Sequence, residues 1–135
     1  MGCMKKERRY RILVVDDDEL LRAALVRLLE RFPFELESAA SGEEALRRLK
    51  RKTFDAICTD LEMPGMNGIE LIRHVRRSAA GTSIVLMTGR DQDERVQGAG
   101  ADAFLRKPFS ADDLRRALDA AFQRLRAPGD EGEAR

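Results

Sequence analysis

Phe54-Asp55-Ala56-Ile57-Cys58-Thr59-Asp60-Leu61-Glu62-Met63-Pro64-Gly65-Met66-Asn67-Gly68 runs from an apolar segment through a carboxylate into a turn. Phe54 to Thr59 reads as a strand too apolar to be half-exposed, hence one buried on both faces. It is followed at once by Asp60. Met63-Pro64-Gly65-Met66 has turn chemistry, and Asn67 suits the cap of a helix with Ile69, Ile72 and Val75 on one face. The stretch is therefore one βα unit with a carboxylate where strand meets solvent.

The same unit recurs on either side. Ile12 to Val15 is a β-branched run that ends in Asp16-Asp17-Asp18. Leu20, Leu21, Ala24, Leu25, Leu28 and Leu29 then follow at helical spacing, which predicts an amphipathic helix over 19–31, stopped by Pro33. Phe34 to Ala39 is a second strand. Ser41 and Glu44 form a capping-box pattern opening a helix through Lys50, with Ala45, Leu46 and Leu49 inward. Ser83 to Met87 is a fourth strand and Ala103 to Leu105 a fifth. Ser110 caps the last helix, with Leu114, Ala117, Leu118, Ala121, Phe122 and Leu125 as its apolar stripe. Five βα repeats with buried strands imply an α/β fold, a parallel sheet with helices on both faces. The expected organisation is a basic N-terminal tail at 1–9, one domain over 10–126, and a flexible tail or linker start at 127–135.

Composition narrows the classes. The chain has 135 residues, enough for one domain with a core of its own. Its 25 Lys and Arg balance 24 Asp and Glu, so no strong field favours nucleic acid or an anionic membrane. No apolar run reaches the length of a membrane span, and residues 1–9 lack the long apolar segment expected of a secretory signal. Cys3 and Cys58 read as reduced thiols, and a cytoplasmic location is expected. His74, the single histidine, sits among Arg73, Arg76 and Arg77 and reads as a solvated helix face.

In sheets of this kind ligands bind beyond the C-terminal ends of the strands. There the first strand delivers Asp16 and Asp17, the third Asp60, the fourth Thr88, and the fifth Lys107 just before Pro108. Three carboxylates in one pocket repel, and a hard divalent cation relieves them; Mg2+ suits carboxylates, waters and phosphate oxygens. Lysine and hydroxyl donors beside it suit a phosphoryl group. No GxxxxGK[ST] loop is present, so the nucleophile is expected to be a carboxylate rather than a bound nucleotide's partner. Asp18 reads as a cap of the first helix.

At this point the chain resembles the response-regulator receiver domains of two-component signalling systems, of the flavodoxin/CheY-like fold. The resemblance rests on Val14-Val15-Asp16-Asp17, on Asp60 through Gly68, on Met87-Thr88-Gly89, and on Ala99 through Phe109, and covers roughly 10–126. It implies a strand order of 2-1-3-4-5. It implies Asp60 as phosphoacceptor, with Asp17, Asp60 and the Glu62 backbone carbonyl as Mg2+ ligands and Asp16 acting through water. Lys107 would pair with Asp60 and then the phosphoryl group, Thr88 would move to bond that group, Phe104 would swing inward, and the Lys107–Pro108 bond would be cis. The implied partners are a sensor histidine kinase or histidine phosphotransfer protein, an unknown output partner or domain, and a phosphorylation-dependent dimer. Such a protein is a switch that catalyses its own modification, not an enzyme with external turnover.

Two departures stand out. The interval from Thr88 to Lys107 is short for the family, and 91–98 has Val96 as its one clear apolar anchor, so a short or irregular fourth helix is expected. Phe104 stands where a Tyr is often found. Glu62 and Arg90, each two residues past a site residue, suggest an ion pair modulating access to the pocket, although Glu62 reads equally well as plain surface charge. Alternative functions are a Mg2+-dependent phosphohydrolase using Glu62 as acid/base, or a binding-only pseudo-receiver.

Overall fold

The computed structural model describes residues 9–89 and 98–134, with side chains described through Gln123. Five strands alternate with helices: β1 (Arg11–Val15), α1 (Glu19–Leu29), β2 (Glu35–Ala39), α2 (Gly42–Arg51), β3 (Ala56–Asp60), α3 (Gly68–Ser78), β4 (Ser83–Thr88), β5 (Ala103–Arg106) and α4 (Ala111–Ala134). All pairings are parallel, in the order β2-β1-β3-β4-β5. The expected fourth helix at 91–98 lies at residues that, but for the last, fall outside the described ones.

Strand alternation sorts the core into two layers. Leu13, Val15, Ile57, Ile84 and Leu86 point to one face and pack under α2 and α3, with Leu71, Ile72 and Val75. Ile12, Val14, Cys58, Val85 and Met87 point to the other, under α1 and α4, with Leu25, Leu29, Leu114 and Leu118. β1, β3 and β4 are apolar throughout because both their faces are covered.

The helix starts follow local chemistry. Asp18 accepts the amides of Leu20 and Leu21 and so caps α1. Asn67 and Glu70 bond each other's backbone amides at the start of α3. Ser110 and Asp113 do the same ahead of α4. At α2, Ser41 accepts from the Glu44 amide, but the Glu44 carboxylate reaches one residue further back, to the Ala40 amide.

Two features of the helices add detail to the pattern. The leucine run of α1 is not one buried stripe: Leu25 and Leu29 are buried, whereas Leu20 is 81% and Leu21 43% exposed. Six apolar positions spread over more than one face, since Leu20 stands about 140° around the helix from Leu25. The first turn of α1 is exposed at Glu19, Leu20 and Leu21. At the other end, α4 runs past Arg126, through Pro128, to Ala134. No helix among the described residues is long and apolar enough to cross a membrane.

Candidate functional site

Parallel strands point all their C-terminal ends one way, and there the predicted residues meet. Asp16 follows β1, Asp60 ends β3, Thr88 ends β4 and Lys107 follows β5. Asp16, Asp17 and Asp60 each offer a carboxylate oxygen within 4.8 Å of the others. Lys107 Nζ donates to Asp60 Oδ1 at 2.8 Å and lies 3.8 Å from Asp16 Oδ2, an ion-pair distance beyond hydrogen-bond reach. The Lys107 amide donates to the Thr88 carbonyl at 2.8 Å, which carries the ladder of β4 and β5 up to the lysine. The Lys107–Pro108 bond is cis.

The acidic turn is closely bonded. Asp16 donates its amide to Ala39 at 3.2 Å, and its Oδ1 accepts the Asp18 amide at 3.0 Å. Its Oδ2 is buried and without a hydrogen-bond partner. Asp60 is buried too, and burial pushes its carboxyl above the ordinary value; the bond and charge of Lys107 oppose this, and the nearby Asp16 adds to it. A buried, unpartnered carboxylate oxygen beside two further carboxylates is a donor set suited to a hard divalent cation with oxygen ligands.

The other predicted residues are placed as follows. Thr88 is buried at the end of β4. Phe104 is half-buried on β5, opposite Leu86 in register, on the face covered by α3. Glu62 is exposed, two residues past Asp60. Arg90 lies outside the described residues, so the suggested Glu62–Arg90 pair does too.

Two contributors were not singled out by sequence. Gly68, at the first turn of α3, lets that helix touch β3: a Cβ there would sit 2.4 Å from the Asp60 carbonyl oxygen and 2.9 Å from Leu61 Cα. The Asn67-Gly68 pair carries that signal only once β3 is known to pass beneath it. Arg22 reaches back from α1 to the Asp16 carbonyl at 2.9 Å, and nothing in its spacing announces this.

A family model for the response regulator receiver domain matches residues 12–119. The chain belongs to that family. This receiver domain is 39% identical to response regulator MprA of Mycobacterium ulcerans over 124 residues, which is 90% of this chain and 53% of that protein. It is also 39% identical to MprA of Mycobacterium leprae over 127 residues, 92% of this chain and 55% of the relative. The receiver domain thus spans about half the length of the curated relatives it matches. Among solved structures, the chemotaxis protein CheY4 of Vibrio cholerae superposes with a TM-score of 0.79 at 31% identity, over 84% of this chain and 99% of that one. A CheY-like receiver domain protein from Methanospirillum hungatei gives 0.82 at 28%, over 90% and 99%. The chain is therefore a response-regulator receiver domain of two-component signalling, a family of signalling switches whose members bind Mg2+ at an acidic pocket.

Proposed function

We propose that this receiver domain accepts a phosphoryl group on Asp60 and uses that modification to control a partner or an output domain. The observation that carries the reading is the convergence of Asp16, Asp17 and Asp60 with Lys107 bonded to Asp60 at 2.8 Å. Mg2+, when bound by Asp17, Asp60 and the Glu62 backbone carbonyl with Asp16 acting through water, supplies positive charge for the phosphoryl oxygens.

The chain's own residues do the rest. An Asp60 carboxylate oxygen attacks phosphorus in line; the P–O or P–N bond of the donor breaks, and its electron pair leaves with the donor. Lys107 holds the carboxylate in place beforehand and then faces the new oxygens with its ammonium group. Thr88, one strand over, donates to the phosphoryl group, and Phe104 turns inward behind it. The donor is a phosphohistidine of a sensor kinase or phosphotransfer protein. A helical donor has a docking rim available: Leu21, Ala24, Leu28, Pro108 and Phe109 line an apolar groove that includes Asp16 and Lys107, with Leu20 nearby on the exposed first turn of α1. In this reading 127–135 begins a linker or tail, and the protein works in the cytoplasm.

The test is incubation of the purified chain with a small phosphodonor and Mg2+, read by intact mass. One added phosphoryl group is expected, absent without Mg2+ and absent in Asp60→Asn. Full labelling of Asp60→Asn would sink the reading, and steady release of many phosphates per chain from a generic ester would favour a hydrolase.

A further inference from the structure

Asp16 has four polar groups, and three are tied down. Its amide donates to Ala39 at 3.2 Å, its Oδ1 accepts from the Asp18 amide at 3.0 Å, and its carbonyl accepts from Arg22 Nη1 at 2.9 Å. The fourth, Oδ2, is buried, has no hydrogen-bond partner and looks into the pocket toward Lys107. The amide tie belongs to the sheet and the Oδ1 tie to the acidic turn itself. Among these ties, Arg22 alone brings in a side chain from outside the turn. It stands one turn into α1, and helical side chains of its length lean back toward the helix start, which brings the guanidinium over the end of β1.

We propose that Arg22 is a positioning residue: by holding the Asp16 carbonyl it sets the plane of the acidic turn and aims the Asp16 and Asp17 carboxylates at one cation. The proposal rests on the reading of this pocket as a divalent-cation and phosphoryl site. Partners that orient metal ligands from behind typically change affinity by about 10–100-fold when removed. The guanidinium also has an opposite influence. Its positive charge, next to Asp16, Asp17 and Asp18, repels an incoming cation. The sign of the effect therefore separates the two roles. If Arg22 positions the turn, its removal weakens cation binding. If it acts only as a charge, removal tightens binding.

The experiment titrates Mn2+ into the full chain and reads free Mn2+ by electron paramagnetic resonance. It compares wild type with Arg22→Met, which keeps an apolar stem and loses every donor, and with Arg22→Lys, which keeps a cationic donor group. Urea unfolding without metal is run on each. The expected result is a Kd about tenfold higher for Arg22→Met, a metal-free unfolding midpoint near that of wild type, and recovery of most of the affinity in Arg22→Lys. Affinity equal to or tighter than wild type in Arg22→Met would overturn the proposal. So would a loss of affinity matched by a loss of metal-free stability, with Arg22→Lys no better. Asp17→Asn distinguishes the two levels. If wild type and Asp17→Asn bind Mn2+ equally poorly, the reading of the pocket fails and the Arg22 proposal with it; if Asp17→Asn alone abolishes binding, only the Arg22 proposal falls.

Discussion

Asp60 carries two opposed influences that make it useful. Burial raises its carboxyl, while Lys107 at 2.8 Å favours the anion. The net direction is upward, so the folded protein holds the Asp60 proton more tightly than the unfolded chain does. Ionised Asp60 therefore costs folding free energy at neutral pH; this cost fades as pH falls through the raised folded value and is gone below the ordinary carboxyl value of 3.8. Asp60→Asn should be more stable than wild type in metal-free urea unfolding at neutral pH, with the gap closing in acid. A variant less stable at neutral pH would mean that the Lys107 pair outweighs burial. Asp16, Asp17, Asp60 and Lys107 were legible in the sequence because each follows an apolar run too short to be anything but a buried strand. Arg22 was not. An arginine on a helix gives no sign of which backbone oxygen it will reach, and the Asp16 carbonyl lies six residues back around a turn.

At the scale of elements, the site depends on how closely α3 approaches β3. Gly68 permits it, because any Cβ there meets the Asp60 carbonyl and the Leu61 backbone rather than a flexible side chain. Gly68→Ala should destabilise the domain by about 1–3 kcal/mol, as overpacking does elsewhere, and should displace the Asp60 backbone. Urea unfolding gives the first quantity, and amide chemical shifts of Asp60 and Leu61 the second. A neutral effect on both would show that α3 can move away freely. Among the described residues, helix and strand positions were legible from period and caps, and all five strands lie where their apolar runs placed them. The face of α1 was less so. Adjacent leucines at 20 and 21 contribute to a helical pattern, yet both are exposed, and a sequence records periodicity without recording which positions find a partner.

For the molecule as a whole, folding and cation binding share one structure. The sheet order β2-β1-β3-β4-β5 puts β1 and β3 side by side, so the acidic turn and Asp60 sit next to each other only in the native state. A cation that binds there must stabilise the fold by mass action, by about 2.7 kcal/mol at a hundredfold excess over its Kd. Thermal unfolding with and without Mg2+ should show that gain in wild type and little of it in Asp17→Asn; equal gains in both would place the cation elsewhere. The strand order itself came from family resemblance, since five βα repeats fix parallel pairing but not which neighbour each strand takes. The central claim is that Asp60 is the residue that becomes phosphorylated, and the most direct test is chemical trapping. After reaction with a small phosphodonor and Mg2+, borohydride reduces an aspartyl phosphate to homoserine, which peptide sequencing by mass spectrometry locates. The account predicts homoserine at position 60 and at no other aspartate. Homoserine at Asp16 or Asp17, or a phosphate retained on His74 or a hydroxyl residue, would contradict it.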